Sequence, residues 1–449
     1  MSGIFASTET IATFVANICE MSGVNVLIIG SGGREHAMAW KLSQSPKLGK
    51  LFILPGNPGT AQLGENIPLN VLDFDGIRTV VIEKAINLVV IGPEEPLVKG
   101  LYDFLKGDAG LRNVLVVGPA KEGAALEGSK NFAKAFMKRH GIPTANYGAF
   151  TREEYGEAVK FLKTLEPPCV LKADGLAAGK GVVIQPSYED ACTSLEEFFN
   201  GKFGDAGNVV VIEEFLRGVE LSVFVITDGK SYVVLPEAKD YKRVGVGDTG
   251  PNTGGMGAVS PVPFATPEFM MKVENTVIKP TINGLSSEGI PYCGIIFFGL
   301  MNVGGNPYVV EYNVRLGDPE TEVVLPRIES DLLELLMLCA AGKMSESKLT
   351  VSPQIATTVI LASGGYPGSY AKGKAISGME TISNAIIFHA GTTSSGSLTL
   401  TAGGRVLACT GIGDSMEDAL ASSYSAANAI TFESKYFRSD IGLDVYPNS

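Results

Sequence analysis

Apolar residues in this chain gather in short runs, each closed by glycine or proline. Val24–Ile29 (VNVLII) is a β-branched run leading into GSGGREHAMAWKLSQS, a glycine turn followed by helical spacing. LFILPGNPGT, LVVIGPEEP and VLVVGP repeat that arrangement, so residues 23–124 are predicted to form a parallel α/β domain. Its ligands are expected outside the carboxyl ends of the strands. EGSKNFAKAFMKRHGIP predicts a helix ended by Gly141 and Pro143, and Thr151 with Glu154 predicts a capping box for a helix to about Leu165. CVLKADGLAAGKGVVI reads as strand, glycine loop, strand, and NVVVIEEFLRGVELSVFVIT as another strand pair. The stretch 241–262 is too glycine-rich for a core and reads as a substrate loop. PYCGIIFFGLMNVGGNPYVVEYNVR predicts two long strands joined at Gly304-Gly305. Asp331–Cys339 predicts a leucine-rich helix, and a strand-rich region begins near 351 and closes with a helix after Asp414.

Length sharpens this into domains. The 449 residues suit about three domains: 23–124, 125–350 with a flap at about 147–217, and 351–449. Residues 1–22 carry no Lys or Arg, which argues against a targeting peptide. They read as a dispensable extension, with Met21 as an alternative start. The net charge of −12 leaves no basic footprint for nucleic acid, yet backbone nests can still hold small anions. No apolar run reaches the roughly 18 residues of a membrane span. Six scattered cysteines without a CxxC pair suggest free thiols in a reducing cytoplasm.

The 54 glycines cluster where chemistry is expected. Gly30-Ser-Gly32-Gly33-Arg34-Glu35-His36 follows a strand and opens a helix, a position that presents N–H groups to an anion. A dinucleotide fingerprint wants glycine where Glu35 stands and an acid where PGNPGT follows, so an NAD oxidoreductase is disfavoured. A tight turn without a ligand stays open. Gly56-Asn57-Pro58-Gly59-Thr60 should lie at the same sheet edge and strengthens a phosphate reading.

The second loop, Lys172 to Val182, lacks the Walker order and suits a flap over phosphates instead, with Lys172 as a point cation and Gly179, Lys180 and Gly181 at the tip. Its alternative is a solvated hairpin. Val209–Leu216 ends in Glu213 and Glu214 and offers apolar walls with a carboxylate for an adenine amine; Glu220 follows within reach of ribose. In VVEYNVR, strand alternation places Glu311, Asn313 and Arg315 on one face, a set suited to Mg²⁺ and nucleotide phosphates.

These motifs, in this order, resemble the glycinamide ribonucleotide synthetases of the ATP-grasp superfamily. The carriers are LIIGSGGREHA, GNPGT, IGPEEPLV, LKADGLAAGKGV, GDTGPNTGGMGA, EYNVRLGDPET, GGRVL and YFRSDIG, from about Asn25 to Gly442. Two positions depart from the family pattern: Tyr241 replaces a usual histidine and Leu316 a usual phenylalanine. The resemblance implies a pre-ATP-grasp, Rossmann-like N-terminal domain, a central α+β ATP-grasp and a small strand-rich C-terminal domain. It implies ATP-dependent ligation of glycine to 5-phosphoribosylamine through a glycyl phosphate, the second step of purine synthesis, with Mg²⁺ or Mn²⁺. By position it implies Lys130 and Lys172 on nucleotide phosphates, Glu213 and Leu216 at adenine, and Glu220 at ribose. Glu311 and Asn313 match metal ligands, and Arg315 a phosphoryl-stabilising cation. Asp248 and Asn252 are expected at glycine, and Gly32, Gly33, Arg34, Glu35, Asn57, Gly59, Thr60 and Glu94 at phosphoribosylamine. Another ATP-grasp carboxylate–amine ligase is the nearest alternative. A monomer or weak homodimer without nucleic-acid or membrane partners is expected.

Overall fold

Five strands stand side by side and parallel in the order Glu65–Asn66, Leu48–Pro55, Val24–Gly30, Leu88–Ile91 and Leu115–Val117. The central strand is buried almost throughout, as a strand covered on both faces must be, which is why its sequence is an apolar run and not an alternation. The computed structural model describes residues 22–176 and 181–446. The expected extension, apart from Ser22, therefore lies outside the described residues, as do Gly179 and Lys180.

A second sheet runs Tyr147–Thr151, Val209–Glu214, Cys169–Ala173, Val182–Gln185, all antiparallel. It packs helices Tyr155–Leu162 and Tyr188–Glu197 around its own cluster of Leu162, Leu171, Leu195, Phe198 and Ile212. Thr151 N donates to Glu154 Oε2 at 2.9 Å, but the box caps a single 3₁₀ turn, and the helix behind it stops at Leu162. The third sheet runs Tyr232–Val234, Val219–Thr227, Gly294–Val303, Asn306–Asn313, again antiparallel. Its hairpin turns at Gly304 and Gly305, whose φ values of +57° and +80° are open to glycine at little cost.

Three expectations need correction. Val209–Glu214 and Val219–Thr227 are not a pair; they belong to different sheets, and residues 215–218 carry the chain from one to the other. EGSKNFAKAFMKR is two helices, Lys121–Gly128 and Lys130–Arg139, because Ser129 leaves helical geometry and its hydroxyl caps Phe132 N. The glycine-rich stretch is ordered as a hairpin, Arg243–Gly245 with Thr249–Asn252, followed by the strand Gly257–Ser260.

That last strand enters a fourth sheet in the order Lys239–Asp240, Gly257–Ser260, Ile355–Ser363, Arg405–Gly413, Ile386–His389, so the sheet draws strands from both sides of residue 350. Helix Met416–Ala429 packs on it. The leucine-rich helix spans Leu332–Ala340, with Asp331 capping Leu333 N and Glu334 N. The five described cysteines are free; Cys169, Cys339 and Cys409 are buried. Among the described residues no helix is long and apolar enough to cross a membrane.

Candidate active site

At the edge of the parallel sheet, Gly32 caps the helix Gly33–Leu42. Glu35 Oε2 accepts the Gly32 N–H at 2.6 Å, and Glu35 Oε1 accepts from Arg34 Nε at 2.6 Å. A Cβ on Gly30 would stand 2.5 Å from the Glu35 side chain, and one on Gly92 2.2 Å from it. Glu35 thus fills the room beneath the loop, which explains why no third glycine is needed here. In the second loop Asn57 Oδ1 accepts from Gly59 N at 2.8 Å and Thr60 N at 3.0 Å. Asn57 Nδ2 donates to Ser31 O and His389 O, both at 2.9 Å. Thr60 Oγ1 donates to Asn57 O at 2.9 Å. The side chains of Glu35, Asn57 and Thr60 therefore build the loops. Below them His36 Nδ1 accepts the His389 N–H at 2.7 Å. Burial lowers His36 to about 3, with His389 adding to the shift, and burial lowers His389 to about 4. Both rings are neutral.

Glu94 opens the helix Glu94–Val98 and lies 3.6 Å from Arg315 Nε. Burial works to raise its carboxyl, but Arg315, Arg34 and a backbone N–H together hold it below the usual range. Arg315 lies beyond the end of the strand Asn306–Asn313, so the strand pleat alone does not align it with Glu311 and Asn313. It returns to Asn313 through its reach: Nη2 donates to Asn313 Oδ1 at 3.1 Å and to Glu127 Oε1 at 2.7 Å.

The region expected to take the nucleotide is assembled from charges. Lys130 Nζ donates to Gly175 O at 2.9 Å, and Asp174 Oδ1 accepts from Ser129 Oγ and Asn131 N at 3.0 Å, so the root of the flap sits on a helix start. Lys172 Nζ donates to Val310 O at 3.1 Å and lies 2.9 Å from Glu213 Oε1. Glu213 is buried, while Glu214 Oε1 accepts from Asn146 N at 2.8 Å. Leu216 is half-buried on the crossing segment, and Gly181 resumes the described chain beyond the flap tip. Lys242 Nζ stands 3.0 Å from Glu220 Oε2 and 3.9 Å from Glu311 Oε1. At Glu311 desolvation would raise the carboxyl, but Lys242, Lys172, Lys130 and Arg315 outweigh it and hold it ionised. Among the described residues no three His, Cys, Asp or Glu side chains converge as a metal cage. A carboxylate and an amide oxygen are the sparse donor set that fits Mg²⁺ when phosphates supply the other ligands.

Asp248 and Asn252 stand exposed on the glycine-rich hairpin. Asp248 Oδ1 accepts from Arg438 Nη1 at 2.7 Å. Among the described residues, no hydrogen bond or ion pair links Asp248 or Asn252 to the other expected site residues. The two departures acquire places. Tyr241 is buried; its hydroxyl donates to Asp444 Oδ1 at 2.5 Å and accepts the Gly442 N–H at 2.9 Å. The Leu316 side chain is in the core, and its carbonyl accepts from both Arg34 and Arg315 at 3.2 Å.

Several residues of this region escape a motif reading. Glu127 accepts the Val314 N–H at 2.8 Å besides Arg315. Arg405 binds Asp318 Oδ1 and Asp318 O, at 3.0 and 2.8 Å, and reaches Gly254 O. Lys134 holds the far oxygen of Glu213 at 2.8 Å. Glu322 is wholly buried with both carboxyl oxygens unpartnered, and its Oε1 would be 2.2 Å from a Cβ on Gly33. Burial, with Asp318 nearby, pushes that acid well above the usual range. Arg405 lies inside GGRVL, a motif visible in the sequence; the partners of the others come from remote segments.

Models of the phosphoribosylglycinamide synthetase N domain, ATP-grasp (A) domain and C domain match residues 24–127, 128–321 and 356–444. The phosphoribosylamine–glycine ligase of Chlorobaculum tepidum is 48% identical over 93% of this chain and 99% of its own. The crystal structure of phosphoribosylamine–glycine ligase from Thermotoga maritima superposes with a TM-score of 0.80 at 39% identity, covering 93% of this chain and 100% of that one. The biotin carboxylase domain of Hydrogenobacter thermophilus 2-oxoglutarate carboxylase shares the fold, with a TM-score of 0.70 at 17% identity over 92% and 91% of the two chains.

Proposed function

Since the chain belongs to the phosphoribosylglycinamide synthetase family, we propose that it joins glycine to 5-phosphoribosylamine with ATP, giving glycinamide ribonucleotide, ADP and phosphate. The observation that carries this reading is Glu311, a carboxylate kept ionised by Lys130, Lys172, Lys242 and Arg315. A carboxylate set among several cations, themselves paired with Glu213, Glu220 and Glu127, suits a polyphosphate with its divalent metal.

A glycine carboxylate oxygen attacks the γ-phosphorus, the bond to the β,γ-bridging oxygen breaks, and ADP leaves. The amine nitrogen then attacks the acyl carbon, the bond to the phosphate oxygen breaks, and nitrogen gives up a proton. No side chain need become covalently attached, so the chain contributes position and charge. Lys130 and Lys172, with Gly179, Lys180 and Gly181 of the flap, hold nucleotide phosphates. Arg315 stabilises the moving phosphoryl group. Glu213, Glu214 and Leu216 receive adenine, and Glu220 the ribose. Mg²⁺, or Mn²⁺ in its place, would be held by Glu311 and Asn313 and would neutralise polyphosphate charge when bound.

The backbone of Gly32, Gly33, Gly59 and Thr60 takes the amine substrate's phosphate at a helix start. Asp248 and Asn252 of the hairpin are assigned to glycine. In this division 23–124 holds the amine substrate, 125–350 with its flap at 147–217 the nucleotide, and 351–449 walls the glycine side. Flap closure keeps water from the acyl phosphate. Free, buried thiols suit a cytoplasmic setting.

The test is phosphate release with ATP, Mg²⁺ and phosphoribosylamine, offering glycine, alanine, formate or bicarbonate as the acid. Release that depends on glycine supports the assignment; release independent of glycine overturns it.

A further inference from the structure

Lys134 follows Lys130 by one turn of the helix Lys130–Arg139, so both ammonium groups leave on the same side. Lys134 is only 2% exposed. Its Nζ lies 2.8 Å from Glu213 Oε2 and donates to Thr144 Oγ1 at 2.7 Å, and Thr144 Oγ1 donates onward to Val309 O at 2.6 Å. The ring of Tyr147 stands 5.8 Å from the same ammonium. Burial lowers Lys134 to about 8, while Glu213 opposes the shift. An ammonium so enclosed has no route to a substrate atom. Its effect must pass through the carboxylate it grips.

Gripping Oε2 fixes the rotation of the Glu213 carboxyl. The other oxygen, Oε1, is buried beside Lys172 Nζ at 2.9 Å and retains acceptor capacity for a ligand. Lys172, whose ammonium has three N–H groups, then sets a donor beside that acceptor in addition to the phosphate contact assigned to it above. Adenine offers the complement, an N7 acceptor next to an N6 amine, whereas an oxo purine puts the O6 acceptor against the carboxylate.

We propose that Lys134 is a positioning residue for base selection: by pinning Oε2 of Glu213 through the Thr144 tether, it aims Oε1 at the exocyclic amine of adenine. This rests on the reading of Glu213 as the partner of adenine. The chain's preference for ATP over ITP is thereby set one residue away from the base.

The experiment measures kcat and KM for ATP and for ITP with the full chain, Mg²⁺, glycine and phosphoribosylamine. Lys134→Met should lower the ATP-to-ITP ratio of kcat/KM by at least about tenfold, mainly through KM for ATP. Lys134→Arg should keep most of the ratio. Should Lys134→Met fail to fold, Thr144→Val loosens the tether without stranding a charge and should lower the ratio by about threefold. Glu213→Gln checks the underlying reading and should abolish most of the preference. A ratio unchanged in Lys134→Met or Thr144→Val, while Glu213→Gln lowers it, overturns the positioning role alone. A wild-type chain that uses ITP as well as ATP overturns the reading of Glu213, and the proposal with it.

Discussion

The two halves of the site are built by opposite means. The loops at Gly30–Glu35 and Gly56–Thr60 satisfy their own side chains: Glu35 takes Gly32 N and Arg34, and Asn57 takes Gly59 N and Thr60 N. What they leave outward is backbone. The side proposed for the nucleotide keeps its charges on one another, Lys172 with Glu213, Lys242 with Glu220 and Glu311, Arg315 with Glu127. A loop of the first kind is finished before a ligand arrives. A cluster of the second kind is poised to exchange partners with a charged ligand, and ion pairs of this kind add little to stability.

The contrast can be broken experimentally, and the largest effect belongs to the self-built loops. Glu35→Ala removes the carboxylate that hydrogen-bonds the buried Arg34, leaving it the Leu316 carbonyl and the charge of Glu94, and should lower unfolding free energy by about 3 kcal/mol. A loss under about 1 kcal/mol in denaturant titrations would mean that the loop does not depend on its own staple. Glu311→Ala should behave in reverse, with turnover down at least ~100-fold and the unfolding midpoint nearly constant. Near-normal Mg²⁺-dependent turnover would remove Glu311 from the metal site. Gly33→Ala pushes a methyl against the buried Glu322 Oε1 and should cost about 1–2 kcal/mol. Combining it with Glu322→Ala should cost less than the sum of the two, and strict additivity would show that the groups do not meet. The smallest effect, counted per side chain, is acid sensitivity. Folded His36 and His389 stay neutral while unfolded histidines bind protons below about pH 6.5, so the unfolded state gains protons and stability falls on acidification. From pH 6.5 to 5.5 the loss should be about 1 kcal/mol for each ring. Thermal unfolding across that window checks it, and a flat profile would mean that the rings are not held neutral.

Local patterns reached far in the sequence because the strands end in distinctive turns. The parallel sheet, the antiparallel pair Cys169–Ala173 and Val182–Gln185, and the Gly304-Gly305 hairpin are all legible from apolar runs and glycine positions. Partnership was not. Val209–Glu214 and Val219–Thr227 look like a hairpin in one dimension because strand pattern carries no record of which sheet a strand joins. Ser129 does carry a cap signal, a serine directly before a run of helix-forming residues. Lys134 and Glu127 gave no comparable hint. Each sits on an ordinary helical pattern, and its meaning comes from Glu213 or Arg315, which the fold delivers from elsewhere.

The pairing of Gly257–Ser260 with Ile355–Ser363 also bears on synthesis. Gly257 faces Val359, so the growing chain carries this strand for roughly a hundred residues before its mate leaves the ribosome. At ordinary elongation rates that is roughly 5–20 s of exposed backbone. Arg405 and Arg438, which grip the preceding hairpin and loop, emerge later still. A segment left waiting so long should be a poor template for other chains, and GDTGPNTGG, with its glycines, proline and lack of aliphatic side chains, is one. Its composition suits a stretch of unfinished polypeptide that must wait for its partners.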